Sequence, residues 1–276
     1  MMKKIYAIAL TALLVASCNP EKGSVMVDEN TILLDDNKTT VSWLKDNEGQ
    51  KLMPRGLFAA ASDSLVEALG LQEGVPSSIS TFLMHTDEGW SLFDAGLGTE
   101  HGGHLLEQLQ ARGLTPDSIK YIYLTHFHGD HIGGLLKEGM PLFHNAKLFA
   151  NHVEYMYWNF EQPIEKAQQQ HDAMEAYRNQ VQLFAWGDTL PNGVIAIDAQ
   201  GHTPGHTAFQ KGNLLIIGDL MHGAALQLSH PEVCANFDMD QEKAIESRIR
   251  IMEMAQANNL HVAGMHLPDP AFIKAK

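Results

Sequence analysis

Cysteine and basic residues are scarce in this sequence. Its 276 residues include two cysteines, and 19 lysines and arginines stand against 33 aspartates and glutamates. The formal net charge of −14 at pH 7 would repel nucleic acid and leaves no basic patch for anionic lipid. Two cysteines cannot form a disulfide framework, and Cys234 is interpreted as a small core residue rather than a nucleophile. We therefore predict no nucleic-acid partner and a neutral, apolar or cationic small-molecule substrate.

The apolar run at residues 5–16 is too short to remain as a membrane span. Two lysines precede it, and it ends in Val-Ala-Ser-Cys, which resembles a bacterial lipoprotein signal that is cleaved before a lipidated Cys18. An ordinary secretory signal with a chance cysteine is the alternative. We predict a signal peptide at 1–17, a polar tether at 18–30 and one catalytic domain at 31–276. The protein is then exported and held at a bacterial membrane (periplasmic or cell surface) only by its lipid anchor.

The densest group of metal-ligating residue types lies in the segment THFHGDHIGG, residues 125–134. An apolar run precedes the segment and three glycines argue against a helix, so we predict a loop at the end of a buried strand. In an extended loop His126 and His128 point to the same side and would share one metal ion, while Asp130 and His131 would reach a second. Three imidazoles and a carboxylate suit zinc or another first-row divalent cation. The alternative is a solvated turn that is rich in histidine.

Further candidates follow at predicted strand ends. Asp94 ends a strand and precedes glycines, so it either accepts hydrogen bonds from the histidine loop or makes a local turn. His206 begins a later strand and is the natural third imidazole, and Asp219 ends the next strand. His202 precedes a Thr-Pro-Gly turn and is interpreted as a loop-stabilising residue. His266 ends the last predicted strand.

The remaining patterns predict ordinary packing elements. Residues 62–70 and 240–257 are predicted helices, residues 79–94 a hairpin, and residues 151–186 mostly helix. The amphipathic pattern at 240–257 predicts that four apolar side chains lie in or near the core: Ile245, Ile249, Met252 and Met254. The aromatic residues at 155–160 line either a pocket or lid, or the core.

In this order, these residues resemble the metallo-β-lactamase superfamily across most of residues 31–276. The pattern consists of HxHxDH at 126–131, Asp94 after a strand, GHTPGH around His206, Asp219 in IIGD and the late His266. The resemblance implies an α/β fold, a single-domain αββα sandwich with a dinuclear metal centre at one edge. It also implies a first metal on His126, His128 and His206, a second on Asp130, His131 and His266, and Asp219 as the bridging ligand.

Within the superfamily, the segments GDLMHGAALQ and GMHLP look most similar to the group that contains methyl parathion hydrolase, with N-acyl homoserine lactonases as relatives. A bridging carboxylate resembles the hydrolase branches rather than true β-lactamases. His222 stands where the best-known lactonases carry a tyrosine. Three interpretations of His222 remain open: a hydrogen-bond donor to a metal ligand, a residue that contacts the substrate, or a histidine that only packs in the core.

We therefore predict a hydrolase of a neutral, fairly apolar ester, lactone or phosphotriester. Two divalent ions, zinc by preference, would share a bridging water and lower its pKa to about 7. Asp130 or Asp219 would carry a proton to the leaving group, His222 would assist, and segment 155–160 with Phe58 and Leu226 would line the pocket. The alternatives are a glyoxalase II-like thioesterase, a mononuclear-iron persulfide dioxygenase of the same fold, or a lipoprotein that binds metal without catalysis. The sequence is compatible with a dimer.

Overall fold

The structure is a computed structural model that describes residues 25–274. The predicted signal peptide, the lipidation site Cys18 and the first part of the predicted tether lie outside the described residues. Residues 25–28 of that tether form a strand that pairs antiparallel with residues 31–33, so the domain begins before residue 31. Within residues 25–274, no helix has both the length and the apolar character to span a bilayer.

The described residues contain eighteen strands. In chain order they are β1 (Val25–Asp28), β2 (Thr31–Leu33), β3 (Thr40–Lys45), β4 (Lys51–Met53), β5 (Val75–Ser77), β6 (Ser80–Thr86), β7 (Gly89–Phe93), β8 (Ile119–Tyr123), β9 (Leu136–Lys137), β10 (Met140–Pro141), β11 (Lys147–Asn151), β12 (Val181–Phe184), β13 (Thr189–Leu190), β14 (Val194–Asp198), β15 (Thr207–Lys211), β16 (Leu214–Ile216), β17 (His261–Ala263) and β18 (Phe272–Lys274).

Two large mixed sheets contain most of these strands. The first has the order β1-β2-β3-β6-β7-β8-β11-β12, and the second has the order β13-β14-β15-β16-β17-β18. β8 lies parallel to both β7 and β11, and β16 lies parallel to β17. Parallel neighbours bring their carboxyl ends to one edge of a sheet, where α/β folds place ligand sites.

The described residues also contain seven α-helices. They are α1 (Asp63–Ala68), α2 (Leu105–Ala111), α3 (Gly129–Ile132), α4 (His152–Met156), α5 (Ile164–Ala176), α6 (Ala224–Gln227) and α7 (Gln241–Ala257). The predicted helices at 62–70 and 240–257 correspond to α1 and α7. Each begins at a side chain that caps it: the Ser62 hydroxyl accepts from Leu65 N, and the Asp240 carboxylate accepts from Lys243 N.

The main apolar core lies between the two sheets. Val41, Phe82 and Tyr123 of the first sheet pack with Phe209 and Val262 of the second, all buried. A second cluster joins the outer face of the first sheet to α2 and α5, and residues of α7 belong to the core on the side of the second sheet. The layers therefore run helix, sheet, sheet, helix, which is the predicted α/β sandwich.

The structure differs from the predicted elements at two places. Residues 181–184 were predicted as helix, but they form β12, because β11 offers them an open parallel edge with Leu148 opposite Val181. On α7 the buried face carries Ala244, Arg248 and Ile251, while Ile249 is exposed. Met252 and Met254 pack against the core as predicted, whereas Ile249 was misassigned because hydrophobic periodicity treats an arginine as a surface residue.

Candidate metal centre

The histidine segment follows β8 as a loop that ends in one helical turn. His126 and His128 lie in the extended part, as the glycine pattern predicted, but Gly129–Ile132 form the short helix α3. The turn places Asp130 and His131 beside the first two imidazoles, with the ring centroids of His126 and His131 4.0 Å apart. The segment therefore presents its side chains to two adjacent positions.

The structure brings two groups of ligand atoms together. One consists of His126, His128, His202 and Asp219, and the other of Asp130, His131 and His266; within each group the ligand atoms lie within 4.8 Å of one another. Asp219 also joins the second group, because its Oδ1 lies 3.1 Å from His131 Nε2 and its Oδ2 lies 3.1 Å from His266 Nε2. Its carboxylate therefore lies between the two groups.

The prediction that His206 is the third imidazole is wrong. His202 fills that place, with its Nε2 2.9 Å from His128 Nδ1 and 3.3 Å from Asp219 Oδ2. His206 uses both ring nitrogens elsewhere: Nδ1 donates to Ala199 O at 2.8 Å, and Nε2 accepts from Asp219 N at 3.0 Å. A neutral imidazole with this tautomer has no lone pair left for a metal ion. His206 instead fixes the backbone of Asp219.

Hydrogen bonds behind the ligands set their orientation. Asp94 turns back from the end of β7 with a left-handed φ of 61° and accepts from Thr125 N and from His131 Nδ1. His131 Nε2 is thereby left to face Asp219. On the other side, His266 Nδ1 donates to Ser78 O at 2.7 Å. Such partners fix the tautomer and the ring orientation of a ligating histidine.

The ionisation of the first group suits metal binding. Burial lowers the pKa of His126 well below its ordinary value, that of His128 to about 3 and that of His202 to about 4. These rings are therefore neutral, which is the form that binds a metal ion. In the second group, burial opposes the protonation of His131, but the carboxylates of Asp219, Asp130 and Asp94 raise its pKa well above the usual range.

The polar atoms at the centre of the cluster fit divalent cations. His126 Nε2 lies 3.1 Å from His128 Nδ1, and His202 Nε2 approaches the same atom, so lone pairs of neutral rings converge. His131 Nε2 and Asp219 Oδ1 are buried without a hydrogen-bond partner. Unpaired buried polar atoms are costly, and cations between the two groups would satisfy all of them.

His222 lies behind Asp219 rather than on the surface of the site. Its Nε2 is 3.1 Å from Asp219 Oδ2, its backbone N–H donates to Gln227, and its ring stacks on His266 and meets Phe237 edge-on. The side chain is fully buried. The prediction of direct catalysis by His222 is therefore replaced by support of the Asp219 carboxylate.

A cavity of about 360 Å³ opens above the ligand groups. Besides ligands it is lined by Lys51, Met53, Ile79 and Phe237. The predicted pocket residues Phe58 and Leu226 do not line it, since they pack with each other in a separate buried cluster under β4 and β5. Within segment 155–160, Trp158 is buried with its ring 5.8 Å from that of His128, whereas Phe160 is 67% exposed.

Glu154 was missed by the sequence analysis, although it connects two of the ligand loops. Its Oε1 accepts from Phe127 N at 2.9 Å and from Trp158 Nε1 at 2.7 Å. Its Oε2 accepts from Thr203 Oγ1 and Gly205 N at 2.8 and 2.9 Å. Burial raises the pKa of this carboxyl, and the four donors oppose the rise. One carboxylate therefore holds the loop of His126 and His128 against the loop of His202.

Glu154→Gln is expected to lower the free energy of unfolding by about 1–3 kcal/mol, because its amide N–H₂ would face Gly205 N–H, which cannot accept. Urea denaturation of the metal-free protein measures this change. Glu161→Gln, at an exposed position in the same segment, is the control and should change stability by less than about 0.5 kcal/mol. Equal stability of the two variants would contradict a role for Glu154 in holding the loops together.

Known proteins share this fold and parts of this sequence. A family model described as "Metallo-beta-lactamase superfamily" matches residues 74–256. The crystal structure of the hydrolase AbOPH, of the beta lactamase superfamily, is 26% identical and superposes with a TM-score of 0.78, covering 91% of this chain and 92% of its own. AidC, a dizinc quorum-quenching lactonase in complex with a product, is 22% identical with a TM-score of 0.77 and the same two coverages.

A sequence match of a different kind involves ribonuclease Z from Prochlorococcus marinus (strain MIT 9515). It is 43% identical over 76 residues, which are 25% of this chain and 22% of that protein. The chain therefore spans only about a fifth of the length of the curated relatives that it matches.

Proposed function

The chain belongs to the metallo-beta-lactamase superfamily, and we propose that it is a metal-dependent hydrolase that opens a neutral, fairly apolar ester, lactone or phosphotriester at a dinuclear centre. The observation that carries this proposal is the position of Asp219, whose two oxygens face both ligand groups. By this proposal His126, His128 and His202 would hold one ion, Asp130, His131 and His266 would hold the other, and Asp219 would be shared by both. Zinc suits the three imidazoles and one carboxylate of the first set, and it also suits the two imidazoles and two carboxylates of the second.

Two divalent ions held in this way would polarise the substrate's carbonyl or phosphoryl oxygen and lower the pKa of a shared water to about 7. The chain's own residues provide orientation and proton transfer. Asp130 lines the cavity with 27% of its side chain exposed, whereas the Asp219 side chain is 3% exposed. We therefore assign to Asp130, rather than Asp219, the delivery of a proton to the leaving group.

The cavity supports a substrate with an apolar part. Met53, Ile79 and Phe237 form its wall beside the ligands, and Lys51 is a basic residue in that lining. Two structurally similar proteins, AidC and an N-acyl homoserine lactone hydrolase, have N-hexanoyl-L-homoserine as a bound product. In the second, the product lies at the catalytic metal centre. An acyl lactone is therefore the first substrate to test. An RNA substrate, which the ribonuclease Z match would suggest, is disfavoured by the net charge of −14.

Elemental analysis of the purified protein is expected to give two zinc ions per chain, and the same protein should hydrolyse a long-chain acyl lactone or an aryl ester. The same assay also includes three further substrates: an aryl phosphotriester, a glutathione thioester and a structured RNA. Removal of metal with a chelator should abolish turnover, and added zinc should restore it. A single iron with oxygen consumption would favour the persulfide dioxygenase alternative. A protein that binds no divalent metal would contradict the proposal.

A further inference from the structure

Arg248 occupies a position in the core that would normally hold an apolar side chain. It lies on the inner face of α7, is 1% exposed and is among the largest fully buried side chains in the described part of the chain. A buried guanidinium is costly unless its donors are paired. Here Nε donates to Leu220 O at 2.7 Å, Nη1 to Pro231 O and Val233 O, and Nη2 to Asp238 Oδ2 at 3.4 Å.

Asp238 connects this guanidinium to the ligand His202. Its Oδ1 accepts from His202 Nδ1 at 2.9 Å, while its Oδ2 faces Arg248 and accepts from Ala235 N. The bond fixes the proton of His202 on Nδ1 and leaves the lone pair of Nε2 directed at the first ligand group. Because the Asp238 side chain is buried with its charge paired, Arg248 determines where this carboxylate can lie.

Leu220 connects the same guanidinium to the bridging carboxylate. It follows Asp219 directly, and its carbonyl accepts the Nε–H of Arg248. On the other side of the backbone, His206 Nε2 accepts from Asp219 N. The backbone of Asp219 is thus held between a buried histidine and a buried arginine. The guanidinium of Arg248 therefore contacts both segment 219–220 and segment 231–238. Because Asp238 of the second segment orients His202, the spacing of the two segments sets the distance between His202 and Asp219.

We propose that Arg248 is a positioning residue that sets the geometry of the His126–His128–His202 metal group through Asp238 and Leu220. This inference rests on the proposed metal centre and adds a residue about which the sequence pattern is silent. Arg248 makes no hydrogen bond to Asp130, His131 or His266 of the second group; Asp94 orients His131 there and Ser78 orients His266. Because Leu220 also holds Asp219, which both groups share, loss of Arg248 should weaken the first site strongly and the second site only slightly.

The test measures zinc affinity by competition with a chromogenic chelator and fits the two sites separately. Arg248→Met, which keeps most of the side-chain volume, is expected to weaken one site by roughly 10–100-fold and to change the other by less than about threefold. Arg248→Lys can reach only one of the acceptors and should recover part of the loss. Circular dichroism of each metal-free variant shows whether it is folded.

Arg250→Met is the matched control, since Arg250 lies on the same helix, is exposed and donates to Asp198 O outside the two segments. It should leave both zinc affinities unchanged. If Arg248→Met does not fold, Arg248→Lys carries the test, because it keeps the charge but cannot contact Leu220 O and Asp238 Oδ2 together, and it should still weaken the first site measurably. If the wild type binds two zinc ions and a folded Arg248 variant binds both with unchanged affinity, the proposed role of Arg248 is overturned but the proposed function is not. A wild type that binds no zinc would overturn the proposed function as well.

Discussion

His202→Ala is expected to remove the metal ion of the first group and to reduce hydrolysis by at least about 10³-fold. Its Nε2 is one of only three imidazole nitrogens in that group, and the remaining pair, His126 and His128, cannot complete a tetrahedral site with Asp219 alone. Elemental analysis should find about one ion per chain. Turnover of the best substrate in the lactone and ester panel gives the second readout.

His206→Ala is the matched control for that experiment, because both histidines belong to the same GHTPGH segment and both are buried. It should retain two metal ions, with weaker affinity because His206 holds the backbone of Asp219, and lose roughly 1–3 kcal/mol of stability, since Asp219 N and Ala199 O would lose their partner. The reverse outcome, with metal lost from His206→Ala and kept by His202→Ala, would restore the original assignment of the third imidazole.

Asp219→Asn is expected to have the largest effect of any single substitution in the cluster, with loss of both tightly bound ions and of turnover by at least about 10³-fold. An amide offers one neutral oxygen, whereas the carboxylate presents an oxygen to each group and carries the charge that balances two cations. Zinc titration and turnover on the same preparation measure both losses.

Asp130→Asn serves for comparison, because Asp130 belongs to the second group only. It should keep the ion on His126, His128 and His202 while weakening the other. An Asp219→Asn protein that keeps two ions and normal turnover would show that the two groups act independently and would contradict a bridged centre.

Site residues could be predicted from the sequence where they lie close together along the chain. HxHxDH lies within six residues, so its ligands are brought together by backbone geometry, and Asp94 was found because it ends a strand before glycines. The family and the layered sandwich were also predicted correctly, and both are confirmed by the family match and the fold.

The choice between His202 and His206 could not be made from the sequence. Turn chemistry favoured His206, but the deciding facts are tertiary: Ala199 O and Asp219 N occupy the ring of His206, and Asp238 orients that of His202. Asp238 lies 36 residues after His202 in the chain and only the fold brings it to Nδ1. Charged residues inside the core, such as Glu154 and Arg248, give no hydrophobic signal and are missed for the same reason.

The ligands come from both sheets, and this determines when during folding the chain can take up metal ions. His126, His128, Asp130 and His131 follow β8 of the first sheet, whereas His202, Asp219 and His266 lie beside strands of the second. From His126 to His266 the chain runs 140 residues (266 minus 126), so the full ligand set exists only when nearly the whole domain has been synthesised. If the chain binds two ions as proposed, their uptake would follow the synthesis of residues 126–266 and the docking of the two sheets. The bound ions would then link the two sheets, and zinc in the medium should stabilise the folded chain in proportion to the logarithm of its concentration.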